Sequence, residues 1–115
     1  MKNWEAASLR KNEQEAINEA ARQLKEIYSI QKIILFGSKV RGDSDEHSDI
    51  DILLIAAQPL NWKQEKSVVE ILFDIGMKYD VIFSPLFTSS DEWERGVFRE
   101  FPIYNEIARN GALVQ

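Results

Sequence analysis

A chain of 115 residues, 44% apolar and 29% charged, is long enough for one compact domain around one core. Its net charge of −5 and pI of about 4.9 argue against a large non-specific nucleic-acid surface, which needs clustered Lys and Arg. Without cysteine it forms neither disulfides nor thiolate zinc sites. No apolar run approaches the ~18–20 residues of a membrane span, and the N-terminus carries no secretory h-region, so a cytoplasmic location is expected.

The elements follow in chain order, and one domain over 1–115 is predicted. Residues 12–28 carry Ala16, Ile17, Ala20, Ala21, Leu24, Ile27 and Tyr28 at helical spacing, with Glu13, Glu15 and Glu19 early and Lys25 late, as the helix dipole favours. Residues 1–11 either extend this helix or make a separate short turn. A strand is predicted at about 32–36, then a Gly37-Ser38 loop, a polar turn and exposed loop over 39–47, and a strand at about 49–56. After Pro59, Asn61 with Gln64 reads as a capping box, opening a helix buried through Val68, Val69, Ile71, Leu72, Ile75 and Met77. A third strand is predicted from Asp80 to Phe83, stopping before Pro85. Ser89 with Glu92 resembles another capping box, for a helix to about Arg99, and Pro102 and Gly111 bracket a last helix. The order α-β-β-α-β-α-α predicts an α+β, two-layer domain: a small mixed sheet of about three to four strands packed by helices.

The chemistry concentrates in GSKVRGDSDEHSDID, residues 37–51. Asp49 and Asp51 stand at i and i+2 at the mouth of an apolar strand, on one face and roughly 6.5–7 Å apart. Like charges so placed destabilise a sheet, and burial makes them costlier unless a divalent cation compensates. Mg²⁺, a hard cation that takes a few carboxylates plus phosphate oxygens and water, suits the pair. Gly37-Ser38 reads either as a plain strand-ending turn or as a turn whose N–H groups face an anion. Asp80 is either a cap or surface acid, or the third member of a carboxylate cluster and a general base. Lys39 and Arg41 either reach phosphates or are ordinary loop cations. His47, in a polar loop, and the run Asp43, Asp45 and Glu46 read as solvated. Trp62, Trp93, Phe98, Phe101 and Tyr104 read as core or helix-packing groups, with some apolar surface near Phe98 and Phe101 left for a partner.

Gly37-Ser38, ten intervening residues and Asp49-Ile50-Asp51 together resemble the signature of the polymerase-beta-like nucleotidyltransferase superfamily. The longer stretch FGSKVRGDSDEHSDIDILL is similar to its small stand-alone members, the minimal nucleotidyltransferases. Asp80-Val81-Ile82 resembles their third acidic strand, and residues 104–111 their final helix. The resemblance implies the nucleotidyltransferase fold. It implies that Gly37 and Ser38 hold a triphosphate, with Lys39 and Arg41 nearby, and that Asp49, Asp51 and Asp80 bind one or two Mg²⁺. Lys39 stands where the family commonly has Arg, which loses a bidentate phosphate fork. Minimal members are often paired with a helical HEPN toxin, so the resemblance implies an antitoxin that moves AMP from ATP onto a tyrosine hydroxyl of that partner. With no residues left for a second domain, the acceptor is expected to wall the cleft, in a homo- or hetero-oligomer. Two other readings stay open: a non-catalytic module that neutralises its partner by occlusion, and an enzyme acting on an antibiotic or RNA.

Overall fold

The structure, a computed structural model, describes residues 2–4, 9–42 and 49–114; His47, Asp43, Asp45 and Glu46 lie outside the described residues. The chain runs β1 (Lys2–Asn3), α1 (Lys11–Leu24), β2 (Ile30–Phe36), α2 (Ser38–Arg41), β3 (Ile50–Ala56), α3 (Trp62–Tyr79) and β4 (Phe83–Ser89). It ends in α4 (Ser90–Arg95), a 3₁₀ turn (Val97–Glu100), α5 (Pro102–Asn110) and β5 (Ala112–Leu113).

β2 and β3 read as near-continuous apolar runs because they are the inner strands, covered on both faces. They pair antiparallel, with Ile33 opposite Leu54 and Phe36 opposite Asp51. β4 lies parallel to β3, with Phe83 beside Ile50 and Ser84 beside Asp51, a connection that needs the α3 crossover. The two-residue β5 joins the free edge of β2 and carries β1 beyond it, giving the order β1-β5-β2-β3-β4. The mixed, helix-packed sheet is the one expected; the two short outer strands were not foreseen, because two residues carry no periodicity.

Alternation along the inner strands divides the core into two layers. Ile33, Leu35, Ile50, Ile52 and Leu54 pack with Ile17 and Leu24 of α1 and Val68, Leu72 and Ile75 of α3. Ile34, Phe36, Leu53 and Ile55 pack with Phe98 and Ile107 on the opposite face. There Trp93, Phe98 and Tyr104 form an aromatic cluster, with the Trp93 and Tyr104 rings 4.6 Å apart. Trp62 is exposed, against the expectation that it packs, whereas Phe101 sits edge-on to Phe98, ring centroids 6.0 Å apart, with about half its surface left exposed.

α3 starts at the capping box expected: the Asn61 side chain accepts from the Gln64 N–H at 2.9 Å, and the Gln64 side chain accepts from the Asn61 N–H at 3.0 Å. Ser89 likewise caps α4, accepting from the Glu92 N–H. Val69 and Met77 are exposed rather than buried: at ~100° per residue Met77 falls on the side of α3 away from Val68, Leu72 and Ile75, and Val69, only about 60° from Leu72, lies at the margin of the buried side. The third strand also begins later than expected. Asp80 ends α3 in the left-handed conformation (φ 59°, ψ 50°), its N–H donating to the Gly76 carbonyl. β4 then runs through Pro85 instead of stopping before it; β4 is an edge strand, where a missing N–H costs no ladder bond. Among the described residues no helix is long and apolar enough to cross a membrane.

Candidate functional site

The Phe36–Asp51 pair brings the end of β2, where the chain turns, against the entrance of β3. The turn is made at Gly37, with φ 79° and ψ −153°, a region almost confined to glycine. A Cβ at this position would overlap Asp51 Oδ2 and stand 3.1 Å from Asp51 Cγ. Gly37 therefore reverses the chain and leaves the space that the Asp51 carboxylate occupies. Ser38 opens the single turn of α2, whose Val40 and Arg41 N–H groups both donate to the Gly37 carbonyl at 3.1 Å. Gly37→Ala is expected to lose about 1–3 kcal/mol of stability from backbone strain. It also displaces Asp51, so a nucleotide-transfer assay should fall further than thermal melting alone explains.

Asp51 is half-buried and Asp49 exposed. Burial pushes the Asp51 carboxyl above its ordinary value, and the neighbouring charge of Asp49 adds to the rise; Arg41 opposes it and Glu106 reinforces it. Arg41 Nη1 donates to Glu106 Oε1 of α5 at 2.6 Å, tying α2 to the helix across the site. Glu106 was not singled out in the sequence. It lies 65 positions from Arg41, and only the packing of α5 on the sheet brings it near.

Two expected members stand elsewhere. Lys39 is buried and ion-paired with Glu13 of α1, so it points into the fold and not toward a phosphate. One helical turn turns Lys39 and Val40 inward. Burial would raise the Glu13 carboxyl, but hydrogen bonds from Lys39 and from the Arg10 N–H (2.8 Å), with the Lys39 charge, hold it below its usual value. Asp80 sits in the exposed cap of α3, before β4 begins, and the strand position beside Asp51 is Ser84. Among the described residues, no group of three or more His, Cys, Asp or Glu gathers as a metal site. The structure thus assembles Gly37, Ser38, Arg41, Asp49, Asp51 and Glu106, and leaves Lys39 and Asp80 out.

Residues 17–104, which contain the Gly37 turn and both aspartates, match the family model described as a nucleotidyltransferase domain. The chain belongs to the nucleotidyltransferase domain family. This nucleotidyltransferase domain is 35% identical over 88 residues to the Methanocaldococcus jannaschii protein named "Putative protein adenylyltransferase MJ0604", covering 75% of this chain and 83% of that protein. It is 37% identical over 57 residues to "Putative protein adenylyltransferase MJ0141" of the same organism, covering 50% of this chain and 58% of that one. The match to MJ0141 thus spans less than two thirds of that relative's length. Among solved structures, the domain resembles a chain of a toxin–antitoxin complex with AMP-PNP (TM-score 0.59, 19% identity, 92% of this chain and 73% of that one). It also resembles a chain of the complex of a tri-AMPylated Shewanella oneidensis HEPN toxin with MNT antitoxin (TM-score 0.54, 19% identity, 89% and 71%). At such identities the likeness shows a shared fold, the fold the motif implied.

The donor set of this nucleotidyltransferase domain fits Mg²⁺. Asp49 and Asp51 offer hard oxygens, and the unfavourable ionisation of Asp51 beside Asp49 is the electrostatic conflict a divalent cation relieves. Two carboxylates leave the remaining positions to water and phosphate oxygens, as Mg²⁺ prefers.

Proposed function

We propose that this chain is a Mg²⁺-dependent nucleotidyltransferase that moves AMP from ATP to a hydroxyl of a helical, HEPN-type partner protein, acting as its antitoxin in the cytoplasm. One observation carries the reading: the Gly37 turn is fitted against the Asp51 carboxylate, with Asp49 two residues earlier, just before β3 begins, close enough for its charge to act on Asp51. In the transfer, the acceptor oxygen forms a bond to the α-phosphorus, the bond from that phosphorus to the bridging oxygen of the β-phosphate breaks, pyrophosphate leaves, and the hydroxyl proton passes to water. Asp49 and Asp51 would hold the metal, whose charge offsets that of the triphosphate. Gly37 and Ser38 let the phosphates approach the backbone. Arg41, now paired with Glu106, would meet them by exchanging that carboxylate for a phosphate oxygen. Catalysis is then positioning and charge neutralisation.

The names of the Methanocaldococcus relatives support protein as the acceptor. The solved complex of an MNT antitoxin with an AMPylated HEPN toxin supports the partner class. The test is to incubate the chain with Mg-ATP and the helical protein encoded beside it, and to weigh that protein intact. A mass gain of one or more AMP groups is expected, and EDTA should abolish it; an unchanged mass refutes the proposal.

That no third carboxylate gathers with Asp49 and Asp51 among the described residues favours a second reading, a binding module that neutralises its partner by occlusion. Neutralisation that survives Asp49→Asn together with Asp51→Asn would select it.

A further inference from the structure

α3 buries Val68, Leu72, Ile75 and Gly76 and turns its other side to solvent. That side carries Trp62, Val69, Phe73 and Met77, whose residues are 70%, 44%, 66% and 72% exposed. At ~100° per residue the four fall within roughly 80° of arc, and they extend about 22 Å along the axis. They form a stripe that is apolar except for Lys66, on a helix whose other side already serves the core. Exposure of this kind, concentrated rather than scattered, marks an interaction surface.

We propose that the α3 stripe is the interface of a homodimer, two copies pairing their α3 helices antiparallel about a two-fold axis near Val68 and Val69. Charge selects the occupant. Lys63 flanks the stripe in its first half, Lys66 falls within its arc between Trp62 and Val69, and Glu70 and Asp74 flank it on the same side as Lys63 in its second half. A two-fold axis perpendicular to the helices keeps equivalent flanks on the same side and reverses their direction. Lys63 of one copy then meets Asp74 of the other, and Lys66 meets Glu70, each pair occurring twice. A parallel two-fold pairing would put these flanks on opposite sides, where they could not meet. The same antiparallel register lays Trp62 of one copy toward Phe73 and Met77 of its mate. Lys63 Nζ already sits 5.6 Å from the Trp62 ring centroid, which keeps the basic end beside the stripe.

Area and position agree. The four side chains expose on the order of 500 Å² per copy, against the ~800 Å² per partner of a standard interface once its polar rim is included. The stripe lies on the α1–α3 side of the sheet, whereas Asp51 alternates onto the side of Leu53, Ile55 and α5. An acceptor protein at the aspartates leaves α3 uncovered, so the dimer does not depend on the catalytic reading.

The test is the mass of the whole chain in solution, by light scattering and sedimentation from about 1 to 100 µM. A dimer is expected, with Phe73→Glu and Trp62→Glu each weakening it by roughly 100-fold or more. Circular dichroism verifies that these surface variants stay folded. Lys63→Glu should weaken the dimer roughly threefold or more, and Lys63→Glu with Asp74→Lys should restore it. Positions 63 and 74 are about 16 Å apart along one helix, so they cannot pair within one chain. A monomer at every concentration overturns the proposal. So does a dimer indifferent to Phe73→Glu, or a stripe protected only when a different protein is added, which would make that protein the occupant.

Discussion

Asp51→Asn should abolish nucleotide transfer and, in metal-free buffer, raise the melting temperature. The two effects have one cause. In the metal-free fold the Asp51 carboxylate is partly removed from water and faces the charge of Asp49, so its ionisation is disfavoured. A carboxyl whose folded pKa lies above its unfolded value of ~3.9 costs no stability at low pH. The cost appears as pH rises through the unfolded value toward the folded one, and at pH 7 it is present in full. The amide removes the charge and keeps the shape, so the variant should melt higher at pH 7, with the difference shrinking as pH falls toward 3. Transfer should fall by ~10³-fold or more, since each factor of ten is about 1.4 kcal/mol and a metal at the reacting phosphate supplies several kcal/mol. Paired melts at pH 7 and pH 3, with the intact-mass assay, check both halves. A variant that transfers normally removes Asp51 from the mechanism; one that melts lower at pH 7 contradicts the electrostatic account.

Lys39→Ala should be the most destabilising of these substitutions, at about 3–5 kcal/mol, because it leaves the buried Glu13 carboxylate without its cation. With domain stabilities of ~5–15 kcal/mol that is a large share, and melting should drop by roughly 12–20 °C. The double variant Glu13→Leu with Lys39→Met removes both charges and should recover most of the loss. Acid acts on the same pair. The Glu13 carboxyl is held below its usual value, so the stability it contributes is complete above the unfolded value of ~4.3 and is lost as pH falls through the lower folded value. The double variant should lack that acid-sensitive part. It also separates two roles for Lys39: calorimetry with Mg-ATP should give an unchanged affinity for the refolded double variant if Lys39 only supports the fold, and a weaker one if the ammonium holds phosphate.

Much of the domain could be read from residues near one another in the chain. The runs Ile33-Ile34-Leu35-Phe36 and Ile52-Leu53-Leu54-Ile55 announced central strands, and Asn61 with Gln64 announced the start of α3 to the residue. Asp49, Asp51 and Gly37 were legible because their pattern of charge, glycine and strand is local. Lys39, Asp80 and Glu106 were not legible. Whether a lysine two residues past a glycine turn reaches outward or inward depends on Glu13, 26 positions earlier in the numbering. Whether Asp80 begins a strand or ends a helix depends on a left-handed cap that closes on Gly76, where a Cβ would approach the Val81 carbonyl to 2.5 Å. The apolar pattern of α3 also held more than one stripe, and burial took Val68, Leu72 and Ile75 while leaving Val69, Phe73 and Met77 outside.

By itself, then, the amino-acid order determined the periodic elements, the glycine turn and the paired carboxylates, since each rests on backbone geometry and spacing within about ten residues. Tertiary structure alone decided which charges meet. It buried Lys39 against Glu13, brought Glu106 across to Arg41, left Asp80 on an exposed cap and chose the outward face of α3. The reason is physical: the energy of a charge or an apolar side chain depends on what packs beside it, and those neighbours come from distant parts of the chain.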